Sequence, residues 1–180
     1  MTQSFSHRLA TEADIPSLHR VMDRAIESLQ DGFLDRAQVE ASRQVMGLDS
    51  QLVKDGTYFL VEEAGRIAGC GGWSFRATLY GGDESIVDRE PERLDPARDA
   101  AKVRAMYTDP DFVRRGVGRL ILSLCEAAAR GAGFSRVELM ATAAGVPLYR
   151  AAGYAPVDAL QHADVQGVQV PLLRMGKLLT

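Results

Sequence analysis

Between Ile15 and Leu29 the apolar residues Ile15, Leu18, Met22, Ala25 and Leu29 recur at the spacing of one helical face. Thr11-Glu12-Ala13-Asp14 ahead of them, with Pro16 in the first turn, is a helix start, and a short strand at 7–10 precedes it. Asp31-Gly32-Phe33 interrupts the pattern, and a more polar helix is expected over 36–45. Two strands follow at 57–62 and 67–75, joined by the turn-like Ala64-Gly65, which reads as an antiparallel hairpin. Periodicity is lost over 80–100, where Gly81, Gly82, Pro91 and Pro96 sit among dense charges, so a long mobile loop is expected there. A strand at 103–107 and an Asp109-Pro110-Asp111 turn lead into a helix over 116–130. Its positions Val117, Leu120, Ile121, Leu124, Cys125 and Ala128 form a single apolar stripe, ended by Gly131 and Gly133. A strand at 137–142, a short helix at 147–152 closed by Gly153, and strands at 154–160 and 168–177 complete the reading.

Composition narrows the class without changing the pattern. A chain of 180 residues with 46% hydrophobic and 25% charged residues is long enough for one domain with a real core and short for two. A net charge of only −3 gives no basis for a nucleic-acid partner held by bulk charge. Cys70 and Cys125 lie far apart in apolar runs and read as buried free thiols, as expected for the reducing cytoplasm. Residues 1–10 lack the apolar run of a signal peptide, and no segment approaches membrane-spanning length, so neither export nor a membrane partner is expected. His7, His19 and His162 are scattered along the chain, and no metal site is expected.

The chemistry concentrates at Val113-Arg114-Arg115-Gly116-Val117-Gly118, which opens the strongest helix. The first turn of a helix leaves backbone N–H groups without intrahelical partners, and together with the helix dipole these form an anion site. Gly116 and Gly118 let a ligand approach that backbone closely. Arg114, Arg115 and Arg119 crowd the positive end of the helix, where a bound polyanion offsets their repulsion; Asp109 and Asp111 are the other groups able to do so. No Lys-Ser/Thr follows the glycines and no GxGxxG is present, which argues against a nucleotide-binding loop.

This loop, the strand before it, the strand after its helix, and the later Leu148-Tyr149-Arg150-Ala151-Ala152-Gly153-Tyr154 together resemble the GCN5-related N-acetyltransferase (GNAT) superfamily. The resemblance implies one α/β (α+β) domain over 1–180. It would have a central mixed, mostly antiparallel sheet of about six to seven strands, flanked by helices and splayed at the cofactor site. It implies acetyl-CoA as co-substrate, with Val113, Arg114, Arg115, Gly116, Val117, Gly118 and Arg119 at the pyrophosphate. Met106, Tyr107 and Thr108 would bond the pantetheine arm through their backbones as an added strand would, and one of their N–H groups would polarise the thioester carbonyl. Tyr149 is implied as the proton donor to the departing thiolate, a role that a phenol's ordinary pKa near 10 permits.

The chain departs from the family pattern in four places. Val113 replaces a polar residue at the head of the loop, and Thr142 and Gly145 stand where asparagine and alanine are usual; Thr142 keeps a hydroxyl for cofactor contact. Residues 103–108 also lack the glutamate that many relatives use as a base. Glu138, Asp83 and Glu84 read as structural or solvated acids, which leaves ordered water or capture of a neutral amine to account for deprotonation. The resemblance implies a primary amine of a small molecule or peptide as the acceptor partner, walled by 26–39, 73–80 and 160–168, with Phe33, Trp73, Phe75 and Tyr80 as candidate lining. A homodimer is left open as the assembly. The alternative function is a non-catalytic acyl-CoA-binding module or sensor.

Overall fold

Along β2 (Tyr58–Glu63) Tyr58 and Leu60 are buried against one helical layer and Val61 against another, the period of two that a strand covered on both faces requires. The computed structural model describes residues 4–180, so residues 1–3 of the expected 1–180 domain lie outside the described residues. In chain order the elements are β1 (Ser6–Leu9), α1 (Ile15–Leu29), α2 (Arg36–Ser42), α3 (Ser50–Lys54), β2, β3 (Arg66–Ser74), β4 (Ala101–Thr108), α4 (Val117–Gly131), β5 (Arg136–Thr142), α5 (Val146–Ala151), β6 (Ala155–Pro156), β7 (Gln161–Val165) and β8 (Val168–Leu178). The strands form one eight-stranded sheet in the order β1-β2-β3-β4-β5-β8-β6, with β7 also paired to β8. Every pairing is antiparallel except β4 with β5.

Helices cover both faces. Leu18, Val21, Ala25 and Ile26 of α1, with Val39, Leu52 and Val53 of α2 and α3, close over Tyr58, Leu60, Cys70 and Tyr107. Val117, Ile121, Leu122, Cys125 and Ala129 of α4 close the other face over Val61, Ala68, Val103 and Leu139. Gly69 and Gly71 of β3 permit this second contact. A Cβ on Gly69 would stand 2.5 Å from Val117 Cγ1, and one on Gly71 2.7 Å from Ile121 Cγ2. Both α4 and α5 end in Schellman motifs: Phe134 N–H donates to the Ala129 carbonyl and Tyr154 N–H to the Tyr149 carbonyl, with Gly133 and Gly153 at positive φ.

Two expectations are corrected. The helix expected over 36–45 ends at Ser42, and a five-residue helix, α3, follows it; its only sequence signal is Asp49, whose carboxylate accepts from Gln51 N–H. The strand expected over 154–160 shrinks to Ala155–Pro156, and β7 forms a hairpin with β8 instead, which makes eight strands rather than six to seven. Its turn, Gln166-Gly167, has positive φ at both residues without the Asn or Asp that usually signals one. The segment 80–100 carries no helix or named strand. It is tied down on either side: Arg76 pairs with Asp55, Thr78 N–H donates to the Glu90 carbonyl, and Arg89 bridges Asp49 and Asp83.

The one parallel pairing is short. β4 meets β5 only at Ala101–Val137 and Lys102–Glu138, and no further pairs form beyond them. At this root Glu138 Oε2 accepts from Lys102 Nζ at 3.0 Å and from Arg174 of β8 at 2.6 Å, tying three strands together. Burial pushes the Glu138 carboxyl up, but the hydrogen bonds from Arg174 and Lys102 outweigh it and hold the group below its usual range. A depressed carboxylate stabilises the fold fully above its unfolded pKa, about 4.3, and loses that contribution as pH falls through the folded value. Glu138→Gln is therefore expected to cost about 2–3 kcal/mol at pH 7, a fall in Tm of roughly 4–10 °C. Its deficit relative to the parent should shrink below pH 4, which calorimetry across pH 3–8 would check.

Candidate active site

Beyond Lys102 the separation of β4 from β5 is deepened by a bulge. Cys70 and Gly72 of β3 face Tyr107 and Arg104, so Gly71 alone stands opposite Ala105 and Met106. Ala105 takes φ +51°, a left-handed conformation that is costly for a residue with a Cβ. Two tyrosine hydroxyls tie the bulge and its surroundings. Tyr58 Oη donates to the Ala105 carbonyl at 2.6 Å, and Tyr107 Oη accepts from Gly47 N–H at 3.0 Å.

An open cleft of about 830 Å³ runs from Phe112–Arg119 across Met106–Thr108 and Thr142–Ala151 to Ile26, Gln30 and Phe33 of the first helical layer. A smaller cavity of about 70 Å³ lies behind it, lined by Met46, Tyr80, Arg104, Met140 and Leu172 among others. Met46, Met106, Tyr107 and Tyr149 border both, so the two spaces meet at the gap between the strands. Among the described residues no carboxylate or histidine lines either.

At the cleft's mouth α4 begins without a side-chain cap and without an acidic residue in its first turn. Leu120 N–H closes the first turn on the Gly116 carbonyl at 3.0 Å, so the amides of Val117, Gly118 and Arg119 have no intrahelical acceptor. The turn before it is built from two left-handed residues, Arg114 (φ +59°) and Gly116 (φ +85°). The charges sort differently from the expectation. Asp109 and Asp111 pair with Arg24 and Arg66, outside the cleft. Arg115 turns to Glu63, 2.6 Å away, and lies over the rings of Phe5 and Phe112. Arg114 and Arg119 remain in the lining, with Val113, Gly116, Val117 and Gly118.

Tyr149, from α5, stands where the two spaces meet. Its ring packs edge-on to Tyr154 at 5.9 Å and crosses close above Gly145, where a Cβ would stand 2.8 Å from Cε2. The departure at residue 145 thus makes room for this ring. Burial pushes the phenol well above its ordinary value, with Cys125 adding to the shift. Among the described residues its hydroxyl has no hydrogen-bond partner. Thr142, at the end of β5, lines the cleft.

The other expected residues divide. Phe33 reaches the cleft and Tyr80 the inner cavity, but Trp73 and Phe75 stack on each other, Trp73 also against Phe134, and line neither. None of residues 160–168 lines either space, whereas Leu172 does. Glu138 and Asp83 are held in ion pairs away from both. Sequence reasoning missed Met46 and Arg104, whereas Gln30 falls within the expected wall 26–39. Of the two missed, only Arg104 left a sequence signal, a charge between Val103 and Ala105 in a strand with helices on both faces.

An interrupted sheet with an uncapped, cationic helix end at the interruption defines a site for an elongated anionic ligand. Residues 20–154 match the model of the acetyltransferase (GNAT) family, and the chain belongs to that family, whose acetyltransferases use acetyl-CoA. No curated protein matches it. Similar solved structures include a GCN5-related N-acetyltransferase from Rhodopseudomonas palustris (17% identity, TM-score 0.72, 99% of each chain). Others are the ribosomal-protein-S18-alanine N-acetyltransferase of Escherichia coli (15%, 0.60, 98% of this chain and 95% of that one) and a Salmonella typhimurium protein solved with its cofactor acetyl-CoA (18%, 0.63, 98% and 94%). At such identities the likeness is one of fold. Among the described residues no helix is long and apolar enough to cross a membrane, and no cluster of three or more His, Cys, Asp or Glu could hold a metal ion.

The positive φ at Gly116 yields a clean test, because an added Cβ there meets nothing within 4 Å. Gly116→Ala is expected to cost only the backbone strain, about 1–2 kcal/mol, lowering Tm by roughly 3–6 °C in a denaturation series. No change would mean that the turn relaxes freely.

Proposed function

We propose that the protein acetylates a primary amine, of a small molecule or a peptide, by direct attack on acetyl-CoA bound in the large cleft, with Tyr149 supplying a proton to the sulfur. The observation that carries this reading is the place of Tyr149: a half-buried, protonated phenol with an uncommitted hydroxyl at the junction of two spaces. The residues fit acetyl-CoA. The amides of Val117, Gly118 and Arg119 and the guanidiniums of Arg114 and Arg119 would hold its pyrophosphate; the Arg115 backbone contributes to the turn while its side chain serves Glu63. Met106, Tyr107 and Thr108 offer main-chain groups left unpaired by the departure of β5, and Thr142 offers a hydroxyl from the opposite strand.

When bound, acetyl-CoA supplies an activated acetyl group: nitrogen bonds to its carbonyl carbon, the carbon–sulfur pair leaves with sulfur, and nitrogen gives up one proton as sulfur gains one. Tyr149 delivers the sulfur's proton and recovers one through solvent. No base lines the site, so the attacking amine enters neutral. The buried unpaired thiols Cys70 and Cys125 favour the reducing cytoplasm as the place of reaction.

Acetyl-CoA is expected to raise Tm, while ATP and NAD leave it unchanged; Gly118→Trp, which fills the cradle, should abolish the shift. Tyr149→Phe should lower kcat about 100-fold with acetyl-CoA affinity within twofold, and equal activity would refute the role. A raised phenol pKa keeps the donor protonated to higher pH. With no protein base, kcat/KM for the amine should then climb about tenfold per pH unit to the amine's own pKa, with no decline by pH 9.5. A plateau near pH 6–7 for every amine would reveal a protein base instead.

A further inference from the structure

The inner cavity contains a polar group that neither the fold nor the transfer step uses up. Arg104 lies on β4 just before the bulge, its side chain 2% exposed. Its Nη1 donates to Asp49 Oδ2 at 2.7 Å and its Nη2 to the Gly81 carbonyl at 2.5 Å. Asp49 is itself held by Arg89 and by the first turn of α3, so the plane of the guanidinium is fixed. The remaining nitrogen, Nε, is buried, and among the described residues its N–H has no acceptor. A buried N–H of this kind is a standing cost that a ligand oxygen removes.

The rest of the wall mixes the apolar side chains of Val45, Met46, Leu79, Met140 and Leu172 with polar groups in about equal measure. An alkylammonium ion would meet a guanidinium there and find no carboxylate to deprotonate it. At pH 7.5 the α-amino group of a peptide or amino amide, with a pKa of about 8, is about 200-fold richer in its neutral form than an alkylamine near 10.4. Such an amine also carries a carbonyl oxygen three bonds away. A volume of about 70 Å³ admits only a few heavy atoms beside it.

We propose that the acceptor is an α-amino carbonyl compound with a small side chain, whose carbonyl or carboxylate oxygen accepts a hydrogen bond from Arg104 Nε while its amine faces Tyr149. This rests on the function proposed above. Glycine, glycinamide and a short peptide with N-terminal glycine share the α-carbonyl oxygen, the last two also the low amine pKa, and ranking them distinguishes a free amino acid from an amide or a chain terminus.

The test compares these three, in the full chain with acetyl-CoA, with 2,2-difluoroethylamine, a weakly basic amine without a carbonyl, and with butylamine. The best of the three should exceed difluoroethylamine at least tenfold in kcat/KM; parity or the reverse order overturns the proposal. Arg104→Lys keeps a cation within reach of Asp49 but removes Nε–H. It should raise KM for the preferred substrate at least tenfold, with calorimetric affinity for acetyl-CoA within threefold, and collapse the ratio to difluoroethylamine toward one. An equal loss on both amines marks Arg104 as structural only and overturns the proposal. The substrate comparison stands even if that variant does not fold. Turnover of butylamine alone sinks this inference and spares the general function, whereas failure to bind acetyl-CoA sinks both.

Discussion

The separation of β4 from β5 after two residue pairs is the constraint around which the molecule is arranged. A strand leaving its neighbour inside a sheet abandons backbone donors and acceptors in the interior, a cost that must be met by solvent or by a ligand. The fold confines this gap with some care. Glu138, gripped by Lys102 and Arg174, stops the opening from running to the base of the sheet. Beyond it the bulge at Ala105 turns the strand, and the hydroxyls of Tyr58 and Tyr107 tether the bulge and the adjoining loop at Gly47. The aperture is thus framed by side chains from four different elements.

Charge is partitioned around the same opening. Both aspartates of the turn before α4 face outward to Arg24 and Arg66, and Arg115 is drawn away by Glu63. Every carboxylate near the helix end is therefore spent on the exterior, and the cleft keeps only cations and uncapped amides. The inner cavity is likewise free of acids, because Asp49 is consumed by two arginines. Under the proposed function, a site built in this way would select its reactants by protonation state, favouring phosphate at one end and disfavouring ammonium at the other.

What could be read from the sequence was local. The stripe from Val117 to Ala128, the glycines at 116, 133 and 153, and the Leu148-Tyr149 signature are short-range patterns, and the helices, their ends and the cradle follow from them. What could not be read depends on partners distant along the chain. Arg104 acquires its meaning from Asp49, 55 residues earlier, and from Gly81, 23 residues earlier. The bulge exists only relative to β3. Helix α3 is too short for periodicity to register, and the turn of β7–β8 uses Gln166 at a position that asparagine or aspartate usually announces. The aromatic residues Trp73 and Phe75 were eligible for the pocket by type alone, and their placement against Phe134 and each other was settled by which side of β3 they occupy.

Gly69 and Gly71 have an effect that reaches past their own strand. Lacking side chains, they let α4 ride about a methyl group nearer the sheet than most residues would allow, and the near end of that helix carries the amides of Val117, Gly118 and Arg119. The width of the cleft is therefore gauged from β3, a strand that contributes nothing to its lining. Two chains with identical loops but different residues at these positions would hold the same donors at different heights. Comparing loop motifs alone would not tell them apart.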